Sequence, residues 1–305
     1  MNAGTDKPRG ARWGMARGAV VLSLAMAAAV LSGCAATEPV GPPSRETVWA
    51  ITADHQLIRF NGGQPQRVLE RKPVTGLAAG ERLVGMDYRV ARGVLYAVSD
   101  AGRVYTLNTG SGALQSLSKG TVALSGQAWG MDFNPVADRI RLVSNTGQNL
   151  RLHPDTGELV DFDPNQPGVQ PDPALSYAPG DVQAGRAPQL VAAAYTYNKQ
   201  DDKLTTNYAI DRAQGMLVTQ GSREGVQPVV SPNTGRLFTV GPLGLGPLLD
   251  AAFDIADVDN AALAAITTAS APRTTLYRID LSTGQARRIG LVGDGSPLVG
   301  MAIEP

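Results

Sequence analysis

The chain has 305 residues, of which 27 are basic, 27 are acidic and one is a cysteine. With that cysteine at position 34, the rest of the chain can form neither a disulfide nor a thiol-rich metal site. Removing residues 1–33, which have the pattern of a leader, takes away four basic side chains and one acidic one and leaves a net charge of about −3. That balance argues against nucleic acid as a partner.

The N-terminal segment has the pattern of an export signal. Arg9, Arg12 and Arg17 precede the apolar run 18–30, which is too short to span a bilayer comfortably. We therefore predict a signal peptide over residues 1–33. The alternative is a short membrane anchor that is retained in the mature protein.

The apolar run ends in Leu-Ser-Gly-Cys at 31–34, which resembles the bacterial lipoprotein signal. In that signal the cysteine becomes the acylated first residue of the mature chain, so we predict lipidation of Cys34. Residues 34–46 are then expected to form the lipidated terminus and a flexible tether. The predicted location is the cell envelope, with the protein anchored to a membrane by lipid and facing the periplasm or the cell surface.

The rest of the chain has an all-β pattern. Short runs of Val, Leu, Ile, Tyr and Phe are separated by turns in which Asp, Asn or Ser is followed two places later by glycine. The triplet Asp155-Thr156-Gly157 belongs to this series, so we interpret it as a hairpin turn. An aspartic-protease site would need two such loops facing each other. His153 is expected to be a half-exposed residue at a strand end.

An internal repeat predicts the architecture. The 30 residues from Gly85 align without a gap on those from Gly130, an offset of 45 residues that covers three strands and their turns. Weaker copies of the first strand begin at Ala192, Ala252 and Gly300. Five first strands are therefore visible, which predicts five sheets of about fifty residues each.

The last copy of the first strand lies at the C-terminus, whereas the strands that would complete its sheet lie between residues 48 and 68. A repeat divided between the two termini is typical of a β-propeller, whose last strand closes the ring. We predict a single five-bladed propeller domain over 47–305. A six-bladed or irregular propeller is the alternative, because the segment 216–246 could contain a degenerate blade.

A proline-rich insertion at 161–189 interrupts the repeat, with six prolines and little strand pattern. Long ordered loops on compact folds often carry function. The alternative to a functional role is a passive loop that shields the edge of a blade.

The repeated first strand carries an aspartate in three copies, Asp87, Asp132 and Asp254, and an alanine in the other two, Ala194 and Ala302. Because first strands line the central channel of a propeller, these carboxylates are expected to converge there. They are candidate ligands for a hard cation such as Ca²⁺. The alternative is that each one bonds backbone amides and locks one blade to the next.

Several segments in succession resemble the bacterial family called domain of unknown function 4394. They include 138–152, with the run Asn-Thr-Gly-Gln-Asn-Leu-Arg-Leu, and Leu-Ser-Tyr-Ala-Pro-Gly-Asp at 175–181. The resemblance extends from about Val48 to Ile303 and implies a secreted or envelope-associated protein with propeller-like repeats. It places Tyr177, Gly180 and Asp181 in a motif typical of the family, on the surface of the proline-rich loop, and it implies no catalytic residue.

The sequence thus predicts a binding or assembly module whose partner is a small ligand or an envelope protein. The alternative function is a metal-assisted hydrolase or lactonase-like enzyme that uses Asp87, Asp132 and Asp254 as metal ligands. Fold analogy alone does not decide between them, since propellers host many activities.

Overall fold

The computed structural model describes residues 39–305. This part of the chain contains twenty β-strands and two short 3₁₀ turns, Val90–Arg92 and Pro232–Thr234. The strands are β1 Thr47–Thr52, β2 Gln56–Asn61, β3 Gln64–Pro73, β4 Leu83–Arg89, β5 Val94–Ser99, β6 Val104–Leu107, β7 Leu114–Ser116, β8 Trp129–Asn134, β9 Arg139–Ser144, β10 Asn149–Leu152, β11 Ser176–Tyr177, β12 Leu190–Tyr195, β13 Asn207–Asp211, β14 Met216–Gln220, β15 Arg236–Pro242, β16 Leu248–Ile255, β17 Ala262–Thr268, β18 Thr275–Ile279, β19 Ala286–Leu291 and β20 Leu298–Ile303.

The strands form five sheets, which are the five blades of a propeller. Blade 1 is β4-β5-β6-β7, blade 2 is β8-β9-β10, blade 3 is β12-β13-β14-β15 with β11 on its outer edge, blade 4 is β16-β17-β18-β19 and blade 5 is β20-β1-β2-β3. The predicted five-bladed fold is confirmed. The segment 216–246, which might have formed a sixth blade, supplies β14 and β15 of blade 3 instead.

The ring closes between the two ends of the domain, as predicted. β20 pairs antiparallel with β1, with Val48 opposite Ile303 and Ala50 opposite Met301. The strand from the C-terminus thereby becomes the inner strand of the blade that begins the domain. Closure removes the two open sheet edges that the chain would otherwise present to solvent.

The inner strands β4, β8, β12, β16 and β20 lie side by side around the axis. The glycines that begin the repeated motif in blades 1 and 2 are required by this close approach. A Cβ added to Gly130 would lie 2.5 Å from the backbone of Ala192, and one added to Gly85 would lie 2.7 Å from the Cβ of Met131. The core fills the spaces between neighbouring blades: Trp49, Ile51 and Leu57 of blade 5, for example, pack with side chains of blade 1.

The two faces of the ring are named here by the direction of the inner strands. The entry face is where they begin, at Leu83, Trp129, Leu190, Leu248 and Leu298. The exit face is where they end, at Arg89, Asn134, Tyr195, Ile255 and Ile303. No helix in residues 39–305 is long and apolar enough to cross a membrane.

The glycine contact predicts a specific sensitivity. Gly130→Ala places a methyl group against the backbone of the next inner strand, so it should lower the free energy of unfolding by about 1–3 kcal/mol. The matched control is Gly120→Ala, because nothing lies within 4 Å of a Cβ at that position. Thermal and denaturant unfolding of both variants tests the contact, and equal stability of the two would contradict it.

Candidate functional site

The three repeated aspartates lie at equivalent positions of β4, β8 and β16 and are almost fully buried, with exposures of 5 % for Asp87, 2 % for Asp132 and 7 % for Asp254. Each accepts a hydrogen bond from an amide of another inner strand. Asp87 Oδ2 is 2.8 Å from the amide nitrogen of Phe133, and Asp132 Oδ2 is 2.8 Å from that of Tyr195. These bonds tie blade 1 to blade 2 and blade 2 to blade 3.

The third carboxylate makes the corresponding link to blade 5 and a second bond within its own strand. Asp254 Oδ2 is 2.5 Å from the amide nitrogen of Ile303, and its Oδ1 is 2.6 Å from that of Ile255. The amide of Tyr88, the residue after Asp87 in the same strand, acts to lower the pKa of that carboxyl. In this way three carboxylates accept hydrogen bonds from four of the five inner-strand amides that follow the repeated position.

This arrangement explains why one of the two copies with alanine needs no aspartate. Ala194 precedes blade 4 in the ring, where the inner-strand amide of Ile255 is already bonded by Asp254 of its own strand. An aspartate at position 194 would add a buried carboxylate with no free amide to bond. These hydrogen bonds match the alternative in which the aspartates bond backbone amides and lock one blade to the next.

Burial makes these aspartates weak acids. It raises the pKa of Asp87 to about 6, and it raises those of Asp132 and Asp254 well above the ordinary value, with repulsion from neighbouring carboxylates adding to the effect. Within this cluster the carboxyl of Asp132 partly offsets the rise in the pKa of Asp87, whereas that of Asp87 adds to the rise in the pKa of Asp132. No group of three or more His, Cys, Asp or Glu within residues 39–305 is arranged to hold a metal ion.

The family-motif residues of the proline-rich insertion attach it to blade 3. Tyr177 is buried, and its hydroxyl donates to Asp211 Oδ2 at 2.6 Å. The carboxylate of Asp181 accepts from both the amide and the hydroxyl of Thr239, each at 2.7 Å. Gly180 has a φ of 83° in an exposed turn. Of the three, Tyr177 therefore differs from the predicted surface position, because its ring packs in the core between blades 2 and 3.

A buried ion cluster at the start of the insertion is a feature that the sequence did not reveal. The carboxylate of Asp172 is fully buried and bridges Arg141 and Arg151, at 2.6 Å from each. The Arg141 guanidinium also reaches Asn149, at 2.7 Å, and Asn233, at 2.6 Å. The available signal was the position of Arg141, a charged residue between apolar neighbours of a fully buried strand.

A cavity of about 180 Å³ opens on the entry face, at the mouth of the central channel. Four of the five blades contribute its walls. Its lining is Ala53, His55, Arg82, Leu83, Val84, Gln127, Ala128, Trp129, Asp250, Ala251, Leu298 and Val299. We refer to this cavity as the mouth.

The polar side chains of the mouth leave hydrogen-bonding capacity free. No side chain in the described chain bonds the imidazole of His55, the amide group of Gln127 or the carboxylate of Asp250, which accepts only from the amide of Ala251. The indole nitrogen of Trp129 is buried and has no partner either. Arg82 is engaged with Asp100 at 3.2 Å.

Asp250 stands in the mouth as a weak acid. Solvent reaches Asp250, but loss of hydration between the walls of the mouth raises its pKa to about 6. The amide of Ala251 and the charge of Arg212 act in the opposite direction. Its place in the repeat is apolar in the other blades, where Leu83, Ala128, Leu190 and Leu298 stand. Sequence reasoning missed the mouth because its residues lie just before the repeated motif, but this departure from the repeat was a usable signal.

The fold and these contacts define a five-bladed β-propeller whose blades are locked by buried carboxylates beneath an open mouth. The sequence profile of the family "Domain of unknown function (DUF4394)" matches residues 56–302, and the chain belongs to this family. No curated protein matches the chain significantly.

Several solved structures resemble the chain at low sequence identity. A chain of a nidogen/laminin complex is 10 % identical, with a TM-score of 0.43, over 85 % of this chain and 98 % of that one. A structural genomics protein of unknown function from Bacteroides thetaiotaomicron is 15 % identical, with a TM-score of 0.44, over 76 % and 56 %. YCF48 from Cyanidioschyzon merolae is 15 % identical, with a TM-score of 0.40, over 81 % and 71 %.

The buried carboxylates of Asp87, Asp132 and Asp254, which we call the carboxylate lock, predict an unusual dependence of stability on pH. Because folding raises the pKa of Asp87 to about 6, the folded state holds this proton more tightly than the unfolded state does. The free energy of unfolding should therefore fall as the pH rises from about 4 through about 6, by about 3 kcal/mol from Asp87 alone. Asp132 and Asp254, with pKa values raised further, extend the fall to higher pH. Denaturant unfolding at several pH values measures this slope.

The variant Asp132→Asn tests whether the carboxylate lock causes that dependence of stability on pH. Its amide oxygen can still accept from the amide of Tyr195, and the substitution removes a buried carboxyl group whose pKa is raised. We expect a flatter pH profile and a stability at pH 8 no lower than that of the unmodified protein. Asp201→Asn, at an exposed loop position, is the control and should keep the original slope. An unchanged slope in Asp132→Asn would contradict the raised pKa of Asp132.

The ion cluster under the insertion predicts a second stability effect. Asp172→Asn leaves Arg141 buried without its anionic partner and should lower the free energy of unfolding by about 3–5 kcal/mol. Glu70→Gln, which removes a solvent-exposed partner of Arg59 and Lys72, should cost far less, because solvent screens that ion pair. Proteolysis within 161–189 should accelerate only in Asp172→Asn. Resistance of that loop in both variants would contradict the anchoring role.

Proposed function

We propose that this propeller is a lipid-anchored binding module of the bacterial cell envelope and that its ligand binds in the mouth. The observation that carries the proposal is the convergence of unpartnered hydrogen-bonding side chains, those of His55, Gln127 and Asp250, on one open cavity. Polar groups placed in a concave, otherwise apolar site are typical of ligand recognition.

The size and lining of the mouth indicate the kind of ligand. A volume of about 180 Å³ equals the liquid volume of about six water molecules, so it accommodates one small ring or the end of a larger molecule. The indole of Trp129 offers a flat apolar wall on which a ring can stack. Since Gln127 both donates and accepts while Asp250 accepts when ionised, a polar ligand with several hydroxyl or amide groups fits best.

The three channel aspartates belong to the scaffold in this proposal. Their carboxylates are buried, and each is hydrogen-bonded to the backbone of an inner strand. The mouth differs on both counts, because the side chains of His55, Gln127 and Asp250 are open to solvent and have no side-chain partners. We therefore place recognition at the mouth and propose no catalytic step.

The anchor in the proposal comes from the sequence pattern alone. The Leu-Ser-Gly-Cys segment and the lipidation site Cys34 lie outside the described residues. Lipidation would keep the propeller at a membrane of the envelope, where small cell-wall sugars and peptides are the available polar ligands.

Ligand binding is tested by the change in tryptophan fluorescence when N-acetylglucosamine, a soluble muropeptide and a neutral dipeptide are each titrated into the mature protein. At least one of these probes should change the fluorescence, and Gln127→Ala and Asp250→Asn should weaken its binding about tenfold, the effect of one lost hydrogen bond to a polar or charged group. Lys203→Ala, exposed on the exit face, is the matched control and should bind normally. Equal affinity in all variants, or no response to any probe, would refute a small-ligand site in the mouth.

Lipidation has its own test. Cells expressing the full chain are labelled with an alkyne-modified fatty acid, which should mark the protein, and Cys34→Ser should lose both the label and the membrane association. Ala36→Ser, two residues away, is the control and should keep both. Label retained in Cys34→Ser would show that the acylation site is wrong.

A further inference from the structure

The segment before the first strand is fastened to the exit face of blade 5. The side-chain amide nitrogen of Gln64 donates to the carbonyl of Gly41 at 2.8 Å, and the Asn61 side chain bonds both the amide and the carbonyl of Ser44, at 2.8 Å each. Glu46 is buried and pairs with Arg278 at 3.0 Å. We call residues 41–46 the strap; these contacts correct the prediction that the flexible tether extends to residue 46.

The face that carries the strap follows from strand pairing. β1 begins beside the end of β20, with Val48 opposite Ile303, and it ends beside the start of β20, with Thr52 opposite Leu298. The strap therefore meets the ring at the exit face. The mouth lies on the entry face, one strand length away, which is about 20 Å for six residues.

Only seven residue steps separate Cys34 from the first fastened residue, Gly41. Seven residue steps span at most about 25 Å when fully extended, and a random coil of that length spans about 15 Å on average. Turning the mouth towards the membrane would require this short connection to run the whole depth of the ring in nearly extended form. The connection is much less constrained when the exit face lies next to the membrane.

We propose that the strap holds the propeller with its exit face towards the lipid surface and its mouth pointing away from the membrane. This proposal rests on the proposed lipid anchor at Cys34. The mouth then samples ligands from the aqueous compartment rather than from the bilayer. A contact of the exit face with lipid headgroups is a consequence of the tether and needs no dedicated lipid site.

The orientation can be measured by energy transfer from the protein to a lipid dye. Since Cys34 is the sole cysteine and is consumed by acylation, a cysteine introduced elsewhere is the one free thiol of the mature chain. Val258→Cys on the exit face and Ala269→Cys on the entry face form a matched pair, because both positions are exposed and lie in blade 4. Each purified lipoprotein is labelled with a donor and reconstituted on phosphatidylglycerol and phosphatidylethanolamine vesicles that carry an acceptor headgroup dye.

Energy transfer should be clearly more efficient from position 258 than from position 269. Inserting about twenty Gly and Ser residues after Ala36 should reduce the difference, because a longer tether no longer restricts the ring. Equal transfer from the two positions, or stronger transfer from 269, would overturn the proposed orientation. Failure of the full chain to bind vesicles at all would instead refute the lipid anchor, so the two failures are distinguishable.

Discussion

The structure depends on how the inner edge of the ring satisfies its backbone amides. Each inner strand pairs on one side only, so amides on its other edge point towards the channel and cannot join a sheet. Buried amides without acceptors would cost free energy comparable to lost hydrogen bonds. The carboxylates of Asp87, Asp132 and Asp254 supply acceptors for four of them, and in doing so they connect neighbouring blades.

This solution has an electrostatic consequence. Three carboxyl groups confined near the axis repel one another when ionised and lose their hydration, so their pKa values rise. Because Asp254 accepts from two inner-strand amides, position 194 needs no aspartate, and the smaller number of carboxyl groups keeps this cost low.

The sequence predicted those parts of the structure that are encoded locally or repeated. The five blades and the closure followed from the copies of the first strand, and the hairpins followed from their Asn, Asp, Ser and Gly residues. Asp155 illustrates the limit: its turn was predicted, but its ion pair with Arg89, 66 residues away, was not. The same holds for Asp172 and Arg141, because the register between blades and the path of a proline-rich loop decide which distant groups meet.

The mouth was missed for a different reason, which also bears on its role. Residues that build the scaffold recur in the repeat and can be aligned, whereas a binding site on a ring of similar blades must break the symmetry. Two residues just before the repeated motif break this symmetry. One is Trp129, where other blades have Val or Ala, and the other is Asp250, where they have Leu or Ala. Both side chains line the same cavity. The indole of Trp129 also packs against the core between blades 1 and 2, whereas the carboxylate of Asp250 stands where the other blades have aliphatic side chains and has no packing role to explain it. The departure at position 250 is therefore the stronger support for the proposed recognition at the mouth.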